Sequence, residues 1–146
     1  MGNQAGGGVD ASVLDEAGLG AWGAAFARKL RPPVVVGLSG ELGSGKTTLV
    51  RAIAAALGVT APVTSPTFAL VHRYDGAGCT VYHLDAYRLR RPEEARDLGL
   101  DDMLAEDDAV ILIEWPERVG PALPALTHRI VLSYADDDSL RRLEVA

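Results

Sequence analysis

The segment GELGSGKT, residues 40–47, limits what this chain can fold into more than any other feature. It matches the pattern GxxxxGK[ST] at all four fixed positions. An apolar, β-branched run, VVVGLS, precedes it, and a run rich in Ala and Leu, KTTLVRAIAAALG, follows it. The first run is typical of a strand buried on both faces, and the second of a helix that ends at Gly58. A strand, a glycine-rich turn and a helix in this order predict an α/β protein with a phosphate-binding loop.

The loop pattern implies a specific chemistry. Its glycines let the backbone curl until successive N–H groups converge on phosphate oxygens, and the helix points its positive N-terminal end at the same anion. We expect Lys46 to reach the β- and γ-phosphates, Thr47 to offer its hydroxyl to Mg²⁺, and Thr48 to lie near the α-phosphate. The expected nucleotide-binding residues are therefore Glu41, Leu42, Gly43, Ser44, Gly45, Lys46, Thr47 and Thr48.

Hydrolysis needs more than this loop, because a second acid must help to hold the magnesium and a group must position the water. Two carboxylates are candidates for these roles. Glu114 ends the apolar run AVILIE, at the edge where open α/β sheets bind their ligands. Asp85 ends the run TVYHLD and could meet the metal from the neighbouring side. We predict that both acids are functional; the alternative for each is a solvated carboxylate at a strand end.

Other residues carry weaker predictions. Thr67 follows Ser65-Pro66, and a threonine on a loop can sense a γ-phosphate, although the residues alone favour a turn in which hydroxyls cap the backbone. An arginine cluster could clamp a phosphate or a partner's acidic face, or belong to a solvated helix start. For Trp115, beside Glu114, we favour core packing over a place near the site. The cluster comprises Arg88, Arg90 and Arg91.

Composition narrows the function classes. The net charge of −6 opposes non-specific attraction to a nucleic acid backbone. No apolar run approaches the length of about 20 residues that a membrane span requires, so we expect no membrane association. Cys79 is the single cysteine, and His72 and His83 near it show no paired metal-ligand spacing, so we interpret both histidines as strand residues. The lone cysteine and the absence of a signal-peptide pattern predict a cytoplasmic protein.

The length of 146 residues predicts one domain. We expect residues 1–14 to form a disordered, glycine-rich tail and residues 15–146 to form the domain. Within it, the spacing of apolar residues predicts a helix from Asp15 to near Arg31, where two prolines follow. Antiparallel hairpins are predicted around DGAG and around ADDDS, and one or two short helices over RPEEARDLGLDDML.

Taken together, these motifs resemble those of the TsaE (YjeE) ATPases of bacterial tRNA threonylcarbamoyladenosine biosynthesis. The similarity spans roughly residues 15–134 and rests on an ordered set of segments: GELGSGKTTLVR, SPTFALVHRY, VYHLDAYRL, EEARDLGLDDML and VILIEWPERV. The glycine-rich start departs from the strand-like opening of that family, which weakens the case for an N-terminal edge strand.

The resemblance implies a three-layer P-loop NTPase fold with a mostly parallel central sheet and antiparallel hairpin additions. It implies ATP and Mg²⁺ as cofactors, with Lys46 and Thr47 at nucleotide and metal, Thr67 in a switch-like loop, and Asp85 and Glu114 near the metal. It also implies the proteins TsaD and TsaB as partners, and it implies that this chain acts on the tRNA only indirectly, through them. The expected activity is slow, magnesium-dependent ATP hydrolysis.

Other functions compete with this one. A small-metabolite P-loop kinase shares the GSGKT turn, but it would need an acceptor pocket and a closing lid, and we find no segment long enough for a lid. A GTPase would need an Asn-Lys-x-Asp element, and the only lysines are Lys29 and Lys46. A scaffold that binds nucleotide without hydrolysing it remains open.

Overall fold

The computed structural model describes residues 10–63, 71–91 and 93–146. Seven strands and four α-helices make up the regular structure of these residues, joined in part by short 3-10 helices. The strands are β1 (Asp10–Leu14), β2 (Val34–Ser39), β3 (Val71–Asp75), β4 (Thr80–Asp85), β5 (Ala109–Glu114), β6 (His128–Tyr134) and β7 (Arg141–Val145). The helices are α1 (Glu16–Ala27), α2 (Lys46–Ala56), α3 (Glu94–Asp97) and α4 (Leu100–Leu104).

All seven strands form one sheet in the order β1-β7-β6-β2-β5-β4-β3. The four central strands, β6, β2, β5 and β4, pair in parallel, whereas β3 and the β7-β1 edge pair antiparallel. The predicted α/β fold with a parallel centre and antiparallel hairpins is thus confirmed. Because β2, β4 and β5 run side by side in parallel, the residues that follow each of them meet at one edge of the sheet.

Apolar side chains cover both faces of the sheet and produce three layers. On one face α1 and α2 pack on Val36, Leu38 and Leu112, and on the other face α4 and the flanking turns pack on Ile111 and Ile113. Strands β2 and β5 are buried along their whole length, because helices or turns cover each side of them. The loop between β2 and α2 therefore begins at the end of a fully buried strand.

Two boundary predictions are wrong. Residues 10–14, assigned to the disordered tail, form the edge strand β1, whose backbone pairs with β7 over five residues and whose Leu14 packs on the core. The predicted helix ends at Ala27 rather than near Arg31, because Lys29 and Leu30 close it with tighter backbone hydrogen bonds before the two prolines. Residues 1–9 lie outside the described part.

The remaining elements agree with the predictions. Strands β3 and β4 form the first hairpin, β6 and β7 form the second, and α3 and α4 are the two short helices. Helix α2 is followed by Gly58, which adopts a left-handed conformation with φ of 92°. None of the helices in the described ranges is both long and apolar enough to cross a lipid bilayer.

Candidate functional site

The glycine-rich loop makes a sharp turn between β2 and α2. Gly40, Gly43 and Gly45 all have positive φ angles, 150°, 79° and 106°, which side chains rarely allow. At Gly40 the lack of a side chain is required a second time, because a Cβ there would lie 2.5 Å from the backbone oxygen of Leu132. The turn is closed by the N–H of Ser44, which donates to the Glu41 carbonyl at 3.0 Å. The backbone therefore has the curled form that the motif predicts.

Lys46, the first residue of α2, is folded back across this loop. Its side chain is buried, and its Nζ donates to the carbonyl oxygens of Gly40 and Glu41 at 2.5 and 2.9 Å. The ammonium also lies 4.6 Å from the centre of the Trp115 ring. Burial lowers the pKa of Lys46, while the negative charge of Glu114 acts in the opposite direction. The loop thus holds a desolvated cation at the mouth of the turn.

Thr47 and Glu114 meet beside this cation. Glu114 is the last residue of β5 and is 4% exposed, and its two carboxylate oxygens lie 3.4 and 3.3 Å from the Thr47 hydroxyl. Two oxygen ligands on adjacent corners of one octahedral Mg²⁺, each at about 2.1 Å, are separated by about 3 Å. The observed spacing and the hard oxygen chemistry of both groups fit a magnesium ion.

Asp85 lies next to Glu114 because β4 and β5 pair in parallel with these two residues in register. Its carboxylate accepts a hydrogen bond from the Tyr87 N–H at 3.1 Å. Burial raises the pKa of Asp85, and this effect is opposed by that hydrogen bond. No group of three His, Cys, Asp or Glu side chains in the described ranges is placed to hold a metal, so phosphate and Thr47 would have to complete the ligands of a cation here.

Most of the predicted residues line one cleft of about 280 Å³. Ser44 is fully buried within the loop, and Glu41 contributes its carbonyl to Lys46 while its side chain is exposed. Thr67 falls outside the described residues and stays a prediction. The residues that line the cleft are Leu42, Gly43, Gly45, Lys46, Thr47, Thr48, Asp85, Tyr87, Glu114 and Trp115.

Two members of this region were missed or placed differently by the sequence reasoning. His83, interpreted as an ordinary strand residue, lies against Glu114 with its Nε2 2.5 Å from Oε2. Trp115, expected to pack in the core, packs only partly there and also lines the cleft, with a φ of 60° that is rare for so bulky a residue. The signal for His83 was its place two residues before Asp85, on the same face of β4.

A second, larger cleft of about 500 Å³ adjoins the opposite side of the loop. It shares Gly43, Gly45 and Thr48 with the first and extends between the start of α1 and the turn that joins β6 to β7. Sequence reasoning missed it, because its walls come from the two ends of the chain. The residues contributed by those walls include Asp15, Glu16, Leu19, Asp138, Ser139 and Arg141.

The arginine cluster lies beside the first cleft rather than in it. Arg90 and Arg91 line a shallow pocket with Leu89 and with Arg118, which comes from a different part of the chain. The Arg118 guanidinium stacks over the Tyr87 ring at 4.6 Å and donates to the Tyr87 carbonyl at 3.3 Å. The described residues that line the first cleft include no arginine.

Comparison with known proteins identifies the family. The sequence profile described as "Threonylcarbamoyl adenosine biosynthesis protein TsaE" matches residues 13–143. The chain belongs to the TsaE family. This assignment confirms the family that the ordered set of motifs indicated. It also connects the chain to the biosynthesis of threonylcarbamoyladenosine in tRNA.

Individual TsaE proteins show how far the likeness extends. Two proteins described as "tRNA threonylcarbamoyladenosine biosynthesis protein TsaE" are similar to this chain. The one from Haemophilus influenzae is 41% identical to it over 71% of its length, and the one from Treponema pallidum is 40% identical over 86%. The matched regions span 65% of the Haemophilus protein and 90% of the Treponema protein. The crystal structure of Bacillus subtilis YdiB superposes with a TM-score of 0.77 and 29% identity, covering 96% of this chain and 87% of that one.

Proposed function

We propose that this TsaE family member binds Mg·ATP at the loop and hydrolyses it slowly, in support of threonylcarbamoyl modification of a tRNA adenosine and together with TsaD and TsaB. The observation that carries the proposal is the meeting of Lys46, Thr47 and Glu114 at one cleft. A cation, a hydroxyl and a carboxylate placed around a glycine-rich turn are the parts that phosphoryl transfer requires.

Each residue has a definite role in this proposal. When ATP binds, the ammonium of Lys46 leaves the carbonyls of Gly40 and Glu41 and donates to phosphate oxygens. These oxygens are stronger acceptors because they are charged. Thr47 and Glu114 hold the magnesium, with Asp85 beside them. The bound metal neutralises charge that develops on the phosphates during transfer. The larger cleft receives the nucleoside, because it adjoins the loop through Gly43, Gly45 and Thr48.

Slow turnover by the isolated chain follows from the same geometry. An arginine that stabilises the transition state typically contributes about 10³–10⁵-fold to such a reaction. None of the described residues that line the first cleft is an arginine, and the guanidinium of Arg118, beside the cleft, is held on the Tyr87 ring. We therefore expect a partner either to supply the missing charge or to move Arg118 toward the phosphates.

The test is a steady-state ATPase assay combined with calorimetry. We expect magnesium-dependent turnover that is slow for the chain alone and faster with TsaD and TsaB. Glu114→Gln should still bind ATP but lose at least about 100-fold in turnover, because it removes the charge at the metal. Glu93→Gln, an exposed glutamate changed in the same way, is the control and should behave like the wild type. Fast turnover that Glu114→Gln does not alter would contradict the proposal.

A further inference from the structure

His83 lies on β4 with no solvent-exposed surface. Its Nε2 is 2.5 Å from Oε2 of Glu114, on the neighbouring parallel strand β5. A carboxylate buried to this degree is stable only when its oxygens accept hydrogen bonds. At this distance the imidazole donates its Nε2–H to Oε2, so His83 is a direct partner of the acid that ends β5.

The other ring nitrogen indicates that apolar packing does not explain a histidine at this position. Among the described residues, Nδ1 of His83 is the only buried side-chain nitrogen or oxygen without a hydrogen-bond partner. An unpaired buried polar atom destabilises a fold. A leucine at position 83 would bury no unpaired nitrogen of its own. The presence of histidine is therefore explained by what Nε2 does to Glu114.

The contact makes the two oxygens of Glu114 unequal. The Thr47 hydroxyl lies 3.4 Å from Oε1 and 3.3 Å from Oε2, so it does not distinguish them; His83 does, because its Nε2 contacts Oε2 alone. A glutamate side chain has three rotatable bonds, and a hydrogen bond to one oxygen restricts the direction of the other. The carboxylate is thus aimed along the edge of the cleft that contains Thr47.

We propose that His83 is a positioning residue, which holds Oε2 of Glu114 so that Oε1 is presented to the magnesium ion beside Thr47. This inference rests on the proposed function, because it assigns a purpose to the geometry of Glu114 in magnesium binding. In this proposal His83 contacts neither nucleotide nor metal. Its effect passes entirely through the glutamate.

The test compares variants that keep or remove the donor. His83→Leu removes it, and His83→Gln retains an amide N–H at a similar distance from the backbone. His128→Leu, the same change on β6, is the matched control. The measurements are the affinity for ATP with EDTA and with magnesium by calorimetry, the magnesium concentration at half-maximal turnover, and the melting temperature without ligand.

We expect His83→Leu to raise the magnesium concentration at half-maximal turnover by about 10–100-fold, the usual effect of losing a residue that orients a metal ligand. ATP affinity in EDTA should not fall. The melting temperature should fall only modestly, because Oε2 of Glu114 loses the histidine but keeps the Thr47 hydroxyl 3.3 Å away. His83→Gln should recover most of the magnesium affinity, and His128→Leu should not alter it. Equal weakening of ATP binding with and without magnesium, or no recovery in His83→Gln, would overturn the proposal.

A double substitution tests whether the effect passes through Glu114. In a Glu114→Gln background, His83→Leu should change the magnesium concentration at half-maximal turnover by less than about twofold, because the ligand that His83 positions is already altered. A full additional loss would overturn the inference. If His83→Leu does not fold, His83→Phe replaces it; failure of both to fold while His83→Gln folds would show that the hydrogen bond serves the fold.

The same data separate this inference from the proposed function. A wild-type protein without any magnesium-dependent step would contradict the proposed function itself. A wild-type protein with such a step, but identical to His83→Leu in its magnesium dependence, would contradict only the role of His83.

Discussion

Replacement of Lys46 by methionine tests the loop most directly, because the two side chains have similar length and only one carries charge. In the described structure the ammonium is bound to the carbonyls of Gly40 and Glu41 and lies over the Trp115 ring. We expect Lys46→Met to leave the fold nearly as stable as before and to abolish tight ATP binding.

The two magnitudes can be worked out separately. A hydrogen bond to a charged group contributes about 1.5–3 kcal/mol, so losing contacts to two phosphates weakens binding by at least about 3 kcal/mol, or about 100-fold. Stability should change by no more than about 1 kcal/mol, because lost hydrogen bonds to two carbonyls are offset by removal of a desolvated charge. In a protein of this size that corresponds to a shift in melting temperature of at most about 4 °C.

The assay pairs isothermal calorimetry with thermal unfolding followed by circular dichroism. Lys29→Met is the matched control, because Lys29 is the only other lysine and is exposed on the turn after α1. It should change neither ATP affinity nor melting temperature. Undiminished ATP affinity in Lys46→Met would refute the role given to the loop. A large fall in melting temperature with proportionate loss of binding would show instead that Lys46 serves the fold.

Two further predictions concern stability. Burial raises the pKa of Asp85, so the folded state holds its proton to higher pH than the unfolded state, and stability falls as pH rises through that range. Asp85→Asn should therefore melt at a higher temperature than the wild type at pH 7 and at nearly the same temperature at pH 3; equal melting temperatures at pH 7 would contradict this. Gly40→Ala should lower the free energy of unfolding by about 2–4 kcal/mol, because its Cβ would meet the Leu132 backbone oxygen at 2.5 Å. Gly20→Ala is the control, because a Cβ there has open space on α1; it should raise the free energy of unfolding by about 0.5–1 kcal/mol. Similar urea midpoints for the two alanine variants would show that the close contact at Gly40 does not destabilise the fold.

The loop could be predicted from the sequence because its information is local. Glycines at fixed spacing, followed by Lys46 and Thr47 at the start of a helix, specify a turn and its chemistry within eight residues. The sequence also predicted the positions of Glu114 and Asp85, because each ends an apolar strand and parallel strands bring their ends to one edge of the sheet. Local pattern was insufficient at β1, where Val13 and Leu14 are the only large apolar residues and pairing with β7 supplies the stability.

The tertiary structure alone decided which side chains meet. His83 and Glu114 are 31 residues apart, and Tyr134, whose hydroxyl donates to the carbonyl of Leu42, is 92 residues from it. Such contacts depend on the order and register of strands, and a shift of one residue would turn His83 to the opposite face. The larger cleft likewise exists only because β7 carries the chain back beside β1 and the start of α1. The spacing of residues along the sequence does not give the distance between these segments in space. The hydrogen-bonded pairing of strands in the sheet determines that distance.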